Sequence, residues 1–180
     1  MTADRAWHSA FIEQLAELLR PQLYIEVGVG SGATFERVAP RARRAIGVDP
    51  DAGAGVSVRQ AGAEFLQLRS VQAAELLMGR GERIDLLFID ADHSAESLVE
   101  DFTVWEPLLR PHGLMLLHDT HPGSVEETHP ALSGDCYRSI SLLEGLYWGR
   151  FEMVTLPVAP GLTICRKRRK QLAWQEDPDG

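Results

Sequence analysis

The stretch from Tyr24 to Gly32 reads Tyr-Ile-Glu-Val-Gly-Val-Gly-Ser-Gly, and it constrains the fold of this chain more than any other. Leu23, Tyr24, Ile25 and Val27 form a short apolar run suited to a strand buried on both faces. Gly28, Gly30 and Gly32 then let the backbone turn sharply and come close to a ligand. Ala33 to Val38 can open a helix whose first amides would point at that ligand. A strand, a glycine turn and a helix in this order make a nucleotide cradle. Glu26 narrows the reading. It stands two residues before the first glycine, inside an otherwise apolar strand. Burying a carboxylate there costs free energy unless a cation or a hydrogen-bond donor meets it. The ammonium group of an amino acid would be such a partner.

The segments around this stretch alternate between strand and helix. Ala3 to Arg20 predicts an amphipathic helix, with Trp7, Phe11, Leu15, Leu18 and Leu19 at helical spacing and Pro21 after it. Arg44 to Val48 predicts a second strand ending at Asp49, an acid placed to accept hydrogen bonds from both hydroxyls of a ribose. Asp51 to Ala63 reads as a short helix and turn, Glu64 to Leu68 as a third strand, and Ser70 to Met78 as a helix. Ile84 to Ile89 is a second long apolar run, ending in Asp90-Ala91-Asp92-His93. Ser94 to Leu109 predicts a helix with Ser94 as N-cap, Pro111-His112-Gly113 a turn, and Leu114 to Leu117 a buried strand ending in His118-Asp119. Thr120 to Asp135 is a polar loop long enough to expect a functional role, and His121 and His129 fit ordinary loop histidines. Tyr137 to Trp148 predicts a helix, and Phe151 to Leu156 and Leu162 to Cys165 a closing pair of strands. Arg166 to Lys170 reads as a solvated basic end. The alternation from Leu23 to Leu117 predicts an α/β, Rossmann-like, doubly wound, mostly parallel sheet. Residues 1–170 are expected to form one domain and residues 171–180 a flexible tail.

Composition excludes several classes. A net charge of -8 argues against a general nucleic-acid binder. No apolar run approaches membrane-spanning length, so no membrane partner is expected. Cys136 and Cys165 are too few for a disulfide framework or a thiolate metal site and fit a reducing compartment, which makes the cytoplasm the expected location.

The glycine stretch with its preceding acid resembles the first motif of class I S-adenosylmethionine-dependent methyltransferases. That resemblance implies a seven-stranded sheet with an antiparallel C-terminal edge hairpin, and S-adenosylmethionine as cofactor. Phe-Ile-Asp-Ala-Asp-His, followed by a helix and Leu-Leu-His-Asp-Thr, resembles a branch of that family. The branch holds metal-dependent sugar and polyketide O-methyltransferases and cephalosporin-hydroxylase-like proteins. Carried over by position, Glu26, Gly28, Gly30, Gly32, Asp49, Ser70 and Asp90 would hold the cofactor, with Arg69 and Ser70 in the loop that meets adenine. Asp90 and Asp119 would be ligands of a divalent metal, with His118 where relatives carry a glutamate. A histidine there suits manganese, zinc or iron better than magnesium. His93 matches the catalytic histidine of the sugar O-methyltransferases, and a neutral imidazole could take the proton of an acceptor hydroxyl.

The expected function is therefore methylation of an oxygen on a small hydroxylated metabolite, with or without a metal. An NAD-dependent oxidoreductase shares the glycine turn and the ribose acid, but Glu26 and the terminal strand pair speak against it. A non-catalytic S-adenosylmethionine-binding module is a third reading, since no large substrate cap is evident. A homo-oligomer would help a small open sheet cover its site.

Overall fold

Apolar runs that cannot face water on either side need helices on both, and the chain supplies them in alternation. A computed structural model describes residues 6–168. The elements are α1 (Trp7–Leu19), β1 (Tyr24–Val27), α2 (Ala33–Val38), β2 (Ala45–Val48), α3 (Gly55–Gln60), β3 (Glu64–Leu66) and α4 (Ser70–Gly79). They continue with β4 (Ile84–Ile89), α5 (Ala95–Trp105), β5 (Leu109–His118), α6 (Ser139–Leu146), β6 (Phe151–Leu156) and β7 (Leu162–Lys167). The strands form one sheet in the order β3-β2-β1-β4-β5-β7-β6. The first five run parallel, and β7 and β6 close the edge antiparallel. This is the doubly wound sheet with an edge hairpin that the alternation and the resemblance imply.

β1 is buried along its whole length and β4 at every position but Asp85, and successive residues serve opposite faces. Ile25 and Val27 of β1, with Leu87 and Ile89 of β4, pack under α4, α5 and α6 against Leu77, Phe102 and Leu143. Tyr24, Leu86 and Phe88 pack on the other face under α1, α2 and α3 against Ile12, Phe35 and Val58. Burial on this scale, at about 25 cal/mol per Å² of apolar surface, is the main force holding the layers together.

Several boundaries differ from the sequence expectation for identifiable reasons. In α1 the buried side chains are His8, Ser9, Ile12 and Ala16, while Leu18 and Leu19 are exposed. Small residues let that face approach α2, where the Ser9 and Thr34 hydroxyls meet at 2.7 Å, and Trp7, Phe11 and Leu15 pack at its border. The expected start of this helix at Ala3 lies outside the described residues. The helix after His93 ends at Trp105 rather than Leu109. Pro107 lacks the amide a further turn requires, so a 3-10 turn over Glu106–Leu108 leads directly into β5. The expected turn at Pro111 to Gly113 lies within β5 as an irregularity, with His112 at φ 65 and a register shift opposite Ile84 and Leu86. Arg166 and Lys167 are not a loose basic end. They belong to β7, where Arg166 Nε donates to Glu152 at 2.6 Å and Lys167 Nζ pairs with Glu106 at 2.8 Å. Arg169, Lys170 and the expected tail from Gln171 lie outside the described residues.

Candidate active site

Open parallel sheets bind ligands beyond the carboxyl ends of their strands, where the chain order reverses. Here that end carries Glu26 and the glycine turn after β1, Asp49 after β2, Asp90 after β4, and His118 and Asp119 at the end of β5. Two adjoining cavities open there. One, of 670 Å³, is lined by Gly28, Asp49, Leu68, Ser70 and Asp101. The other, of 750 Å³, holds Glu26, Gly30, Asp90, His118, Asp119 and Ser133. Gly28, Asp49, Ala91, His93 and Ala131 border both.

The three glycines do different work. All have positive φ, which favours glycine. A side chain on Gly28 would strike the Asp90 carbonyl at 1.9 Å, and one on Gly32 would strike Ser57 Oγ at 2.0 Å. Only Gly30 faces open space. Gly28 therefore lets β1 and β4 end close together, Gly32 lets α2 pack against α3, and Gly30 exposes backbone to the cavity. Gly30 also donates its amide to Asp49 Oδ2 at 2.9 Å, while Asp49 Oδ1 accepts from the Asp51 amide at 2.8 Å. The ribose candidate is thus held rigidly against the glycine turn.

Glu26 is buried, and its partner within the protein is the Tyr24 hydroxyl, which donates to Oε2 at 2.5 Å. Burial pushes the carboxyl up to about 8. The Tyr24 bond acts in the opposite direction, and the nearby Asp90 charge adds to the rise. One neutral hydroxyl does not compensate a buried carboxylate, so this group is poised to ionise when a cation arrives.

The second charged group centres on His118. Its Nδ1 is 3.0 Å from Asp90 Oδ1 and 3.4 Å from Asp119 Oδ2, and its Nε2 is 3.1 Å from His8 Nδ1. Burial alone would lower the imidazole, but hydrogen bonds to Asp119 and Asp90 outweigh it and push it up to about 10. Ring protonation lets Nδ1 donate toward the carboxylates and Nε2 donate to His8. Burial would raise Asp90, but the His118 bond holds its carboxyl below the ordinary aspartate value. His93 reaches the same cluster from the other side, with Nε2 3.7 Å from Asp119 Oδ2.

Two sets of side chains here satisfy the spacing of a metal site among the described residues: Asp90 with His93 and Asp119, and His8 with Asp90 and His118. The first joins two expected ligands with the expected base. His118 touches both carboxylates as a hydrogen-bonding partner. Two carboxylates with one imidazole fit a divalent ion, and manganese, zinc or iron more readily than magnesium.

The loop after β5 walls the site. Ala131 and Ser133 line it, Gly134 packs on the His93 carbonyl where a side chain would stand 1.7 Å away, and Asp135 accepts from the Ala95 amide at 2.7 Å. His121 and His129 are exposed and border neither cavity. Ser70 and Arg69 border the first cavity, as the resemblance implies. Sequence reasoning missed His8 and Asp101. Each shows one available signal: an ionisable residue on the buried stripe of a helix, His8 with Ile12 and Ala16, and Asp101 with Leu98, Phe102 and Trp105.

Residues 25–120, from β1 through the end of β5, match the family model described as "Methyltransferase domain". The chain belongs to that methyltransferase family. Among solved structures, this methyltransferase resembles the O-methyltransferase from Bacillus cereus in complex with SAH, at TM-score 0.73 and 16% identity over 90% of this chain and 81% of that one. It also resembles the O-methyltransferase TomG from Streptomyces achromogenes, involved in tomaymycin synthesis and solved in complex with SAM, at TM-score 0.72 and 18% identity over 92% and 82% of the two chains. A third neighbour is the SAH-bound Podospora anserina methyltransferase PaMTH1, at TM-score 0.69 and 16% identity over 89% and 78%. At these identities the likeness establishes the class I methyltransferase fold. Comparison with curated protein sequences found no significant match. No helix among the described residues of this methyltransferase is long and apolar enough to cross a membrane.

Proposed function

We propose that this protein transfers the methyl group of S-adenosylmethionine to an oxygen of a small hydroxylated metabolite. The observation that carries the proposal is the junction of the two cavities, where His93 stands between a nucleoside-sized cleft and an acid-lined one. A sulfonium nucleoside has the matching parts. Its ribose would meet Asp49, its amino acid ammonium would meet Glu26, and its methyl group would reach the junction beside His93. Neighbours of the same fold were solved in complex with SAH or SAM, which supports the choice of cofactor.

His93 would accept the proton of the acceptor hydroxyl, with Asp119 on its far side favouring the imidazolium that forms. The loop from Thr120 to Asp135 would exclude water from the junction by bracing the His93 backbone. His118 would keep Asp90 ionised and orient both Asp90 and Asp119. A divalent ion held by Asp90 and Asp119 would supply Lewis-acid activation of the acceptor oxygen and leave His93 free to act as the base.

Titration calorimetry with S-adenosylmethionine and S-adenosylhomocysteine tests the cofactor directly. Micromolar binding of both is expected, and no heat from either at millimolar concentration would overturn the proposal. Methyl transfer to a panel of sugars and phenols from labelled cofactor then tests the acceptor class.

A further inference from the structure

The first cavity is bordered by a buried acid with no assigned work. Asp101 lies on the inward face of α5 among Leu98, Phe102 and Trp105, with 6% of its surface exposed, and it borders the cavity. A carboxylate is costly in such a row unless donors meet it. Trp105 Nε1 donates to Ser70 Oγ at 2.9 Å. That bond uses the serine oxygen as acceptor and leaves its proton for Asp101, to which Ser70 is hydrogen-bonded. The charged neighbours that Asp101 feels are Glu100 and Asp92, both acids. A carboxylate has about four acceptor positions, and one hydroxyl does not fill them. The carboxylate therefore keeps acceptor positions that a ligand in the cavity can fill.

We infer that Asp101 reads the base of the bound nucleoside by accepting a hydrogen bond from the exocyclic amine of adenine. The assignment rests on the methyl-donor reading above, which puts the ribose at Asp49. The cavity that holds Asp49 is also lined by Val48, Leu68 and Val71, apolar surfaces suited to a flat purine, and by Ser70 and Asp101. A purine with an amine at this edge satisfies the carboxylate. A purine with a carbonyl there sets oxygen against oxygen and leaves the acid unpaired. Ser70 and Trp105 would fix the carboxylate's orientation, so Asp101 is the contact and Ser70 its positioning residue.

The test compares S-adenosylhomocysteine with S-inosylhomocysteine, which differ at that one edge. Wild-type protein should favour the adenine compound by roughly a hundredfold, as expected for a site that hydrogen-bonds one partner and leaves a buried group unpaired with the other. In Asp101→Asn the side chain carries both a donor and an acceptor, and the preference should fall to less than about tenfold. A merely structural role would weaken both compounds together and leave their ratio intact. Equal wild-type affinities, or an unchanged ratio in Asp101→Asn, would overturn the assignment, and the wild-type ratio needs no variant to fold. Binding of S-adenosylhomocysteine without discrimination defeats Asp101 alone. Binding of neither compound defeats the methyl-donor reading and this assignment with it.

Discussion

The Nε2 of His118 meets the Nδ1 of His8 at 3.1 Å, joining the end of the fifth strand to the first helix across 110 residues of sequence. Both rings are buried, with centroids 4.1 Å apart and planes tilted 60° to each other. His8→Ala removes the acceptor for a charged donor, which should cost about 1–3 kcal/mol. For a chain of this size that lowers the midpoint of thermal unfolding by several degrees. Calorimetric scans of the two proteins at pH 7 measure it, and an unchanged midpoint would mean the contact stabilises nothing.

Glu26 makes cofactor binding depend on pH. Its carboxyl titrates at about 8 in the free protein, well above the ordinary 4.5, so it is protonated at neutral pH. Ionic pairing with an ammonium requires its ionisation. S-adenosylhomocysteine affinity should therefore rise by up to about tenfold per pH unit from pH 6 to 8 and level off above, with a proton released on binding in that range. Calorimetry in buffers of different ionisation enthalpy counts that proton. The sign reverses for the free protein's stability. A raised folded value favours the protonated form, so this contribution is complete below pH 4.5 and is lost as pH climbs toward 8.

Gly28 and Gly30 should respond differently to the same added methyl group. In Gly28→Ala the new carbon would lie 1.9 Å from the Asp90 carbonyl, which is backbone and cannot move aside cheaply. Gly30→Ala meets nothing within 4 Å and incurs only the cost of φ 52, about 1–2 kcal/mol. The first variant should lose stability severely. The second should stay folded but bind S-adenosylhomocysteine at least about tenfold more weakly, because its methyl enters the ligand space. Urea unfolding and ligand titration on both variants separate the two effects.

His93→Ala should lower turnover by roughly a hundredfold or more, as loss of a general base does, while S-adenosylhomocysteine affinity changes little. Chelation distinguishes the contributions at this cluster. Turnover lost on metal removal and restored by manganese or zinc, with cofactor affinity intact, would place an ion at Asp90 and Asp119. Full turnover in metal-free protein would leave proton removal to His93 alone.

The legible parts of this molecule are those whose causes are local. The apolar run before Gly28 had to be a strand covered on both sides, and each acid after such a run had to lie at the same sheet end. Glu26, Asp49, Asp90 and Asp119 were thus brought together by topology before any contact was known. His8 was opaque because its partner stands 110 residues away, and its place on the stripe of Ile12 and Ala16 marks only its burial. The stripe chosen for α1 followed size, whereas the packed face uses small residues to bring helices close. The start of β5 was hidden because Pro111 and Gly113 carry turn chemistry, and the sheet absorbs them as an irregularity while strand pairing resumes at Leu114. Asp101 was masked by lying within a stripe read only for its apolar members.

Trp7 donates its indole hydrogen to the Ala159 carbonyl at 3.0 Å, across 152 residues. The acid-lined cavity takes its outer wall from both sides of that contact, from Ala6, His8 and Ser9 and from Pro160. During synthesis the strands bearing Glu26, Asp49 and Asp90 can emerge and pair first, since their partners lie close in the chain. The other cavity wall cannot exist until residue 160 has left the ribosome. A nascent chain stopped before that point would carry the glycine turn and its acids but lack the Pro160 side of the acid-lined cavity, so that wall is among the last parts of the molecule to be built.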